Sequence, residues 1–199
     1  HEWHDIMITE VGTERNAAFA GMRMDEIARH WWLSPARAAI RLLIEERLEA
    51  GAVFFRMNED DVATVLSADF CCVGSDASVR ALNGKTARGV PHPRTFGTFP
   101  RVFGRFVRQR KTLELVQAVR KMTSLPATIF GLERRGTIVV GNYADMVLFD
   151  AETIRDTATY EQPYSYPDGI EQVYVNGRCV FVDGSVTLER PGKVLRAGR

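Results

Sequence analysis

The sequence predicts an α/β protein in two parts: strands alternating with helices over residues 1–130, then short strands alone over residues 131–199. Three observations predict it. Before residue 130, strand-like runs (Asp5–Val11, Ala52–Phe55, Phe70–Val73) alternate with segments of helical period, the rhythm of parallel, right-handed βαβ units. Near Gly131–Gly136 the helical period gives way to short apolar runs separated by Gly, Asn and Asp. Within that second part, Asn176-Gly177 between two apolar runs is a strong hairpin signal, because both residues tolerate the left-handed backbone of a tight turn.

Each element has its own signal. Asp5–Val11 alternates and is rich in strand formers, and Thr13–Asn16 turns out of it. Met24–His30 carries acid early and base late, as a short helix favours. Ser34-Pro35 is a helix start, with Ser34 as N-cap and Pro35 in the first turn. Ala38, Ala39, Leu42, Leu43 and Glu46 then recur at helical spacing until Ala50-Gly51. Ala52–Phe55 is a compact strand leading to Met57, and Asn58 can cap a helix over 59–66. Phe70–Val73 reads as an inside strand that ends in Gly74-Ser75-Asp76. Ala77–Pro93 is a long connection, of a length that is usually functional or mobile. Leu115, Val116, Val119 and Met122 form the apolar side of a helix over 113–122, and a short helix over 125–130 is capped by Gly131. Strands follow at 136–140, 146–149, 172–175 and 180–182.

Composition narrows the function. A formal net charge of +1 with mixed charges speaks against nucleic acid or an anionic membrane as the main partner. No apolar run is long enough to span a bilayer and the start does not resemble a signal peptide, so the expected location is cytoplasmic. Three cysteines, two adjacent, give no disulfide framework and fit a reducing compartment.

Four positions invite chemistry. In parallel α/β folds the C-terminal lip of a strand is where reactive groups sit, so Asp76 is a candidate general acid/base. Equally, Ser75-Asp76 reads as a turn that caps the next loop. Arg94, in Pro91-His92-Pro93-Arg94, offers two parallel donors for a carboxylate, either that of a substrate or one that staples the loop. His92 has no His or Cys near it in sequence and reads as a loop-ordering hydrogen bonder, not a metal ligand. Met57 follows a strand and is either a core residue or the wall of a pocket. Lys85 and Arg88 read as solvated loop charges, and His1-x-x-His4 as a chance pair.

Gly74-Ser75-Asp76, Pro91-His92-Pro93-Arg94 and Gly97-Thr98-Phe99-Pro100-Arg101 together resemble the N-acyl-D-amino-acid deacylases (D-aminoacylases) of the amidohydrolase superfamily. The likeness continues through Ala118–Thr123, Arg135–Asp150, Gly169–Gly177 and Arg190–Leu195. It implies the C-terminal part of a (β/α)8 barrel over 1–130, followed by part of a flanking β-sandwich over 131–199. It also implies a zinc-dependent hydrolase that cleaves the amide of small N-acyl-D-amino acids. In that reading Asp76 transfers protons beside a metal-activated water, Arg94 grips the substrate carboxylate and Met57 shapes the side-chain pocket. The family's His-x-His and further Cys and His ligands have no counterpart in this sequence, so the expectation is that the residues here hold no catalytic metal alone and are inactive by themselves. Two alternatives stand beside it. One is cyclic-amide opening in the dihydroorotase or hydantoinase manner. The other is a catalytically silent fragment that folds and self-associates through exposed apolar faces.

Overall fold

The computed structural model describes residues 2–196. They form two compact units: residues 2–58 with Asp76–Phe96 and Ala158–Ser165, and Glu59–Ser75 with Gly97–Thr157 and residues 166–196. Helices and sheets are both present, as expected, but every strand pairing among the described residues is antiparallel. Among the described residues no helix is long and apolar enough to cross a membrane.

The first unit is built on β1 (Ile6–Glu10) and β2 (Gly51–Phe54), joined through α1 (Met24–His30) and α2 (Pro35–Glu45). The expected parallel pairing is not what forms. Ile6 lies opposite Phe54 and Ile8 opposite Ala52 in an antiparallel pair. The reason is directional: one helix returns a chain to the starting end of its strand, whereas two in series return it to the far end. Ser34 precedes Pro35 as expected, but its side chain makes no capping hydrogen bond. At α1 the Glu26 carboxylate instead accepts the Arg23 N–H at 2.7 Å. Ile8, Phe19, Met24, Ile27, Ala28, Ala38 and Leu42 make the core.

Glu46, placed on the apolar side of α2 by its spacing, is buried at 4% exposure. Its carboxylate accepts from the N–H groups of Gly12 (2.6 Å) and Thr13 (3.0 Å), from Thr13 Oγ1 and from Asn16 Nδ2 at 2.7 Å. Burial alone would raise its pKa; the donors from Thr13, Asn16 and the backbone outweigh that and hold it below the ordinary glutamate value. A charged side chain thus anchors the turn after β1.

The second unit holds α3 (Glu59–Ser67), α5 (Leu115–Met122), α6 (Ser124–Ile129) and an antiparallel sheet in the order β3 (Met146–Phe149), β4 (Ile170–Val175), β5 (Arg178–Val182), β6 (Ser185–Val186). The Asn176-Gly177 hairpin forms with φ of +48° and +79°, and Asp183-Gly184 repeats the device at +51° and +75°. α4 (Arg94–Arg101) has residues in both units and runs on into a wider helix over Val102–Gln109, where the Arg110 N–H reaches back five residues to the Arg105 carbonyl. Gly97 is needed in this run, since a Cβ there would lie 2.9 Å from Asp156 Cβ; Gly104 is also closely approached, at 3.2 Å from its would-be Cβ to Arg155 Cβ. Val102, Phe103, Leu113, Ala118 and Ile154 form the core.

Three expected elements differ. Residues 136–140 form no strand, because Asn142 folds the segment on itself: its N–H bonds the Val139 carbonyl and its side chain bonds Thr137. On α5 the inward residues are Ala118 and Lys121, while Val116 faces solvent. Phe70–Val73 is also irregular and is held at two points by Lys121. Lys121 Nζ, 2% exposed, donates to the carbonyls of Ala68 (2.5 Å) and Cys71 (3.1 Å), and the Val73 N–H bonds the Lys121 carbonyl. A buried ammonium is tolerable only with such partners.

Candidate functional site

Two candidate residues of the first unit, Asp76 and Arg94, lie together. Arg94 Nη2 is 2.7 Å from Asp76 Oδ2, with the Asp76 side chain 86% exposed and that of Arg94 43% exposed. Asp76 has φ of +46°, a left-handed conformation that aspartate accepts more readily than most residues. Asp76 lies in an irregular stretch of chain, and its carboxylate meets the guanidinium.

Arg94 opens α4. Its backbone N–H donates to His92 Nδ1 at 3.0 Å, and His92 Nε2 lies 2.9 Å from the Tyr160 hydroxyl. His92 therefore orders the loop, as expected of it. The Tyr160 ring packs against Phe55 and, edge to face, against His92, with centroids 4.5 and 5.0 Å apart. Arg23 stacks over Phe55 at 3.8 Å.

The connection over 77–93 is tied down by charge and not by regular structure. Arg80 bonds the Arg88 carbonyl at 2.7 Å and Glu10 at 3.2 Å, Arg88 Nε lies 3.1 Å from Glu10, and Tyr164 donates to the Arg88 carbonyl at 2.7 Å. Arg88 is thus ion-paired, not merely solvated. Met57 follows β2 in an irregular stretch and is 83% exposed, so it is no core residue of this unit. His1 lies outside the described residues; His4 Nδ1 is 3.4 Å from Asp25. No group of three or more His, Cys, Asp or Glu side chains suited to a metal occurs among the described residues.

Residues 24–181 match the amidohydrolase family. The chain belongs to that family. An N-acyl-D-glutamate deacylase of Alcaligenes xylosoxydans xylosoxydans is 43% identical over 176 residues, covering 88% of this chain and 33% of the relative. The crystal structure of an N-acyl-D-glutamate deacylase from Bordetella bronchiseptica, complexed with zinc and a phosphonate inhibitor, superposes with a TM-score of 0.85 at 39% identity, over 98% of this chain and 38% of that one. A dihydroorotase of Lactobacillus johnsonii matches more weakly, at 28% identity over 76% of this chain and 40% of the relative. Within the amidohydrolases, the D-aminoacylase resemblance is therefore the stronger one. The chain spans about a third of the length of these deacylases.

Tyr160 and Phe55 are the site residues that sequence reading missed in this amidohydrolase. Tyr160 lies 68 residues from His92 along the chain, and no local spacing links them. The helical run after Arg94 carried a usable signal in the spacing of Phe96, Pro100, Phe103 and Val107, which Gly97 and Pro100 obscured.

Proposed function

We propose that this chain is the C-terminal portion of a zinc-dependent N-acyl-D-amino-acid deacylase, with late barrel units over 1–130 and part of the flanking β-sandwich over 131–199. The adjacency of Asp76 and Arg94 carries the reading: it sets a proton carrier beside a carboxylate clamp. An N-acyl amino acid offers a free α-carboxylate and a neutral amide, the two groups this pair can address. The substrate carboxylate takes the place of Asp76 on the Arg94 guanidinium, whose planar fork suits it. The released Asp76 carboxylate accepts a proton from the attacking water and passes it to the amide nitrogen as the C–N bond breaks, giving a carboxylate and a free D-amino acid. Met57, open to solvent after β2, lines the side-chain pocket in this reading.

Zinc supplies a Lewis acid when bound to the full-length enzyme. Its ligand set does not fit the described residues. What the chain itself contributes is therefore proton transfer and substrate binding, and alone it is expected to be inactive.

The test is steady-state hydrolysis of N-acetyl-D-amino acids by the full-length enzyme, with Arg94→Ala beside it. Loss of the clamp raises KM about 10- to 100-fold. An enzyme that opens hydantoin or dihydroorotate but leaves N-acetyl-D-amino acids intact overturns the deacylase reading. Stoichiometric zinc and turnover in the 199-residue chain alone overturn the division of labour.

A further inference from the structure

The start of α4 is held in an unusual way. Arg94 is its first residue, so its N–H has no carbonyl within the helix to bond. His92, two residues earlier, supplies the acceptor through Nδ1 at 3.0 Å. A ring nitrogen that accepts carries no proton, so the neutral imidazole bears its proton on Nε2. Nε2 faces the Tyr160 hydroxyl at 2.9 Å and donates to it. The Tyr160 ring also walls the imidazole edge to face, and Phe55 backs the tyrosine. The Arg94 N–H thus fixes the tautomer of His92; Tyr160, far along the chain, fixes its ring plane; and His92 in turn sets the backbone from which the Arg94 guanidinium projects.

We propose that Tyr160 is a positioning residue of the substrate-carboxylate site: through the Tyr160–His92–Arg94 chain of hydrogen bonds it aims the Arg94 guanidinium. This rests on the deacylase reading of Arg94. Without the hydroxyl, Nε2 loses its acceptor, the ring turns and flips more freely, and the Nδ1 bond to the Arg94 N–H weakens. The consequence falls on substrate binding, because Arg94 addresses the carboxylate and not the scissile amide.

Tyr160→Phe keeps the ring and removes only the hydroxyl. In the full-length, zinc-loaded enzyme it is expected to raise KM for N-acetyl-D-amino acids about three- to tenfold, the worth of one hydrogen bond, with kcat changed less than about twofold. An N-acetyl amine lacking the α-carboxylate is expected to show the same kcat/KM with either enzyme. His92→Asn retains an acceptor where Nδ1 stood and has nothing at Nε2, so on that background Tyr160→Phe adds less than about 1.5-fold. These results together support the proposal. An unchanged KM, a loss carried by kcat, an equal loss with the decarboxylated analogue, or a full effect in the His92→Asn background each overturn it. A wild type that hydrolyses no N-acetyl-D-amino acid overturns the deacylase reading and this inference with it; a working wild type with an insensitive Tyr160 overturns only the inference.

Discussion

Arginine meets carboxylate in both units, but in different settings. In the first, Asp76 reaches Arg94 from an exposed irregular segment, with most of its side chain in water. In the second, Glu59 at the start of α3 is held by Arg101 (2.8 Å), Arg105 (2.5 Å) and Arg110 (3.0 Å), while Arg110 also bonds Asp60. Hydrogen bonds from Arg105 lead the forces that lower the Glu59 pKa from 4.5 to about 2, with burial opposing and Arg110 assisting. Arg105 is pulled upward by Glu59, and Arg110 by Asp60 first and Glu59 second. A solvated pair exchanges partners at small cost, whereas a network whose side chains are already ordered does not. The first arrangement suits a guanidinium that must release one carboxylate to take another; the second suits a permanent joint.

The largest test of this contrast is on turnover. Asp76→Asn in the full-length enzyme is expected to lower kcat about 10²- to 10⁴-fold, read by release of free amine. A variant that retains more than about a tenth of kcat makes Asp76 a turn residue and leaves the pair without chemistry. Next comes Glu59→Gln, which removes the charge from three arginines and is expected to cost about 2 kcal/mol in chemical denaturation. A loss below about 0.5 kcal/mol would make the network no stronger than an exposed pair.

Acid reads the same joint. The folded Glu59 pKa is depressed, so its contribution is complete above the ordinary value of 4.5 and is lost as pH falls toward about 2. Glu46, also depressed, acts in the same direction in the first unit. Denaturation across that window is expected to lose part of its pH dependence in Glu59→Gln; a profile identical to wild type removes Glu59 from the acid response. The smallest effect expected is on the stability of Asp76→Asn, within about 0.5 kcal/mol of wild type by the same denaturation. A larger loss would mean that the exposed pair is a structural staple after all.

Legibility followed the range of the forces involved. Helices with local stop signals (Met24–His30, Pro35–Glu45, Ser124–Ile129) and the Asn176-Gly177 turn were readable, because their determinants lie within a few residues. Strand pairing was not, since the direction of β2 depends on how many helices precede it. Residues 70–73 have the composition of a strand, yet they join no sheet and are held instead by a lysine 50 residues on. In the site, Asp76, His92 and Arg94 were visible as a local cluster of constrained backbone and charge, while Tyr160 joins them only through the fold.

Lys121 gives the second unit a built-in reporter. Of the four lysines, Lys85, Lys111 and Lys193 stand exposed, while the amine of Lys121 is enclosed and engaged by two carbonyls. Amine-reactive reagents label the first three at once and reach the fourth only when α5 parts from the segment after α3. The slow appearance of that last adduct by mass spectrometry therefore times the opening of this unit, without any change to the protein.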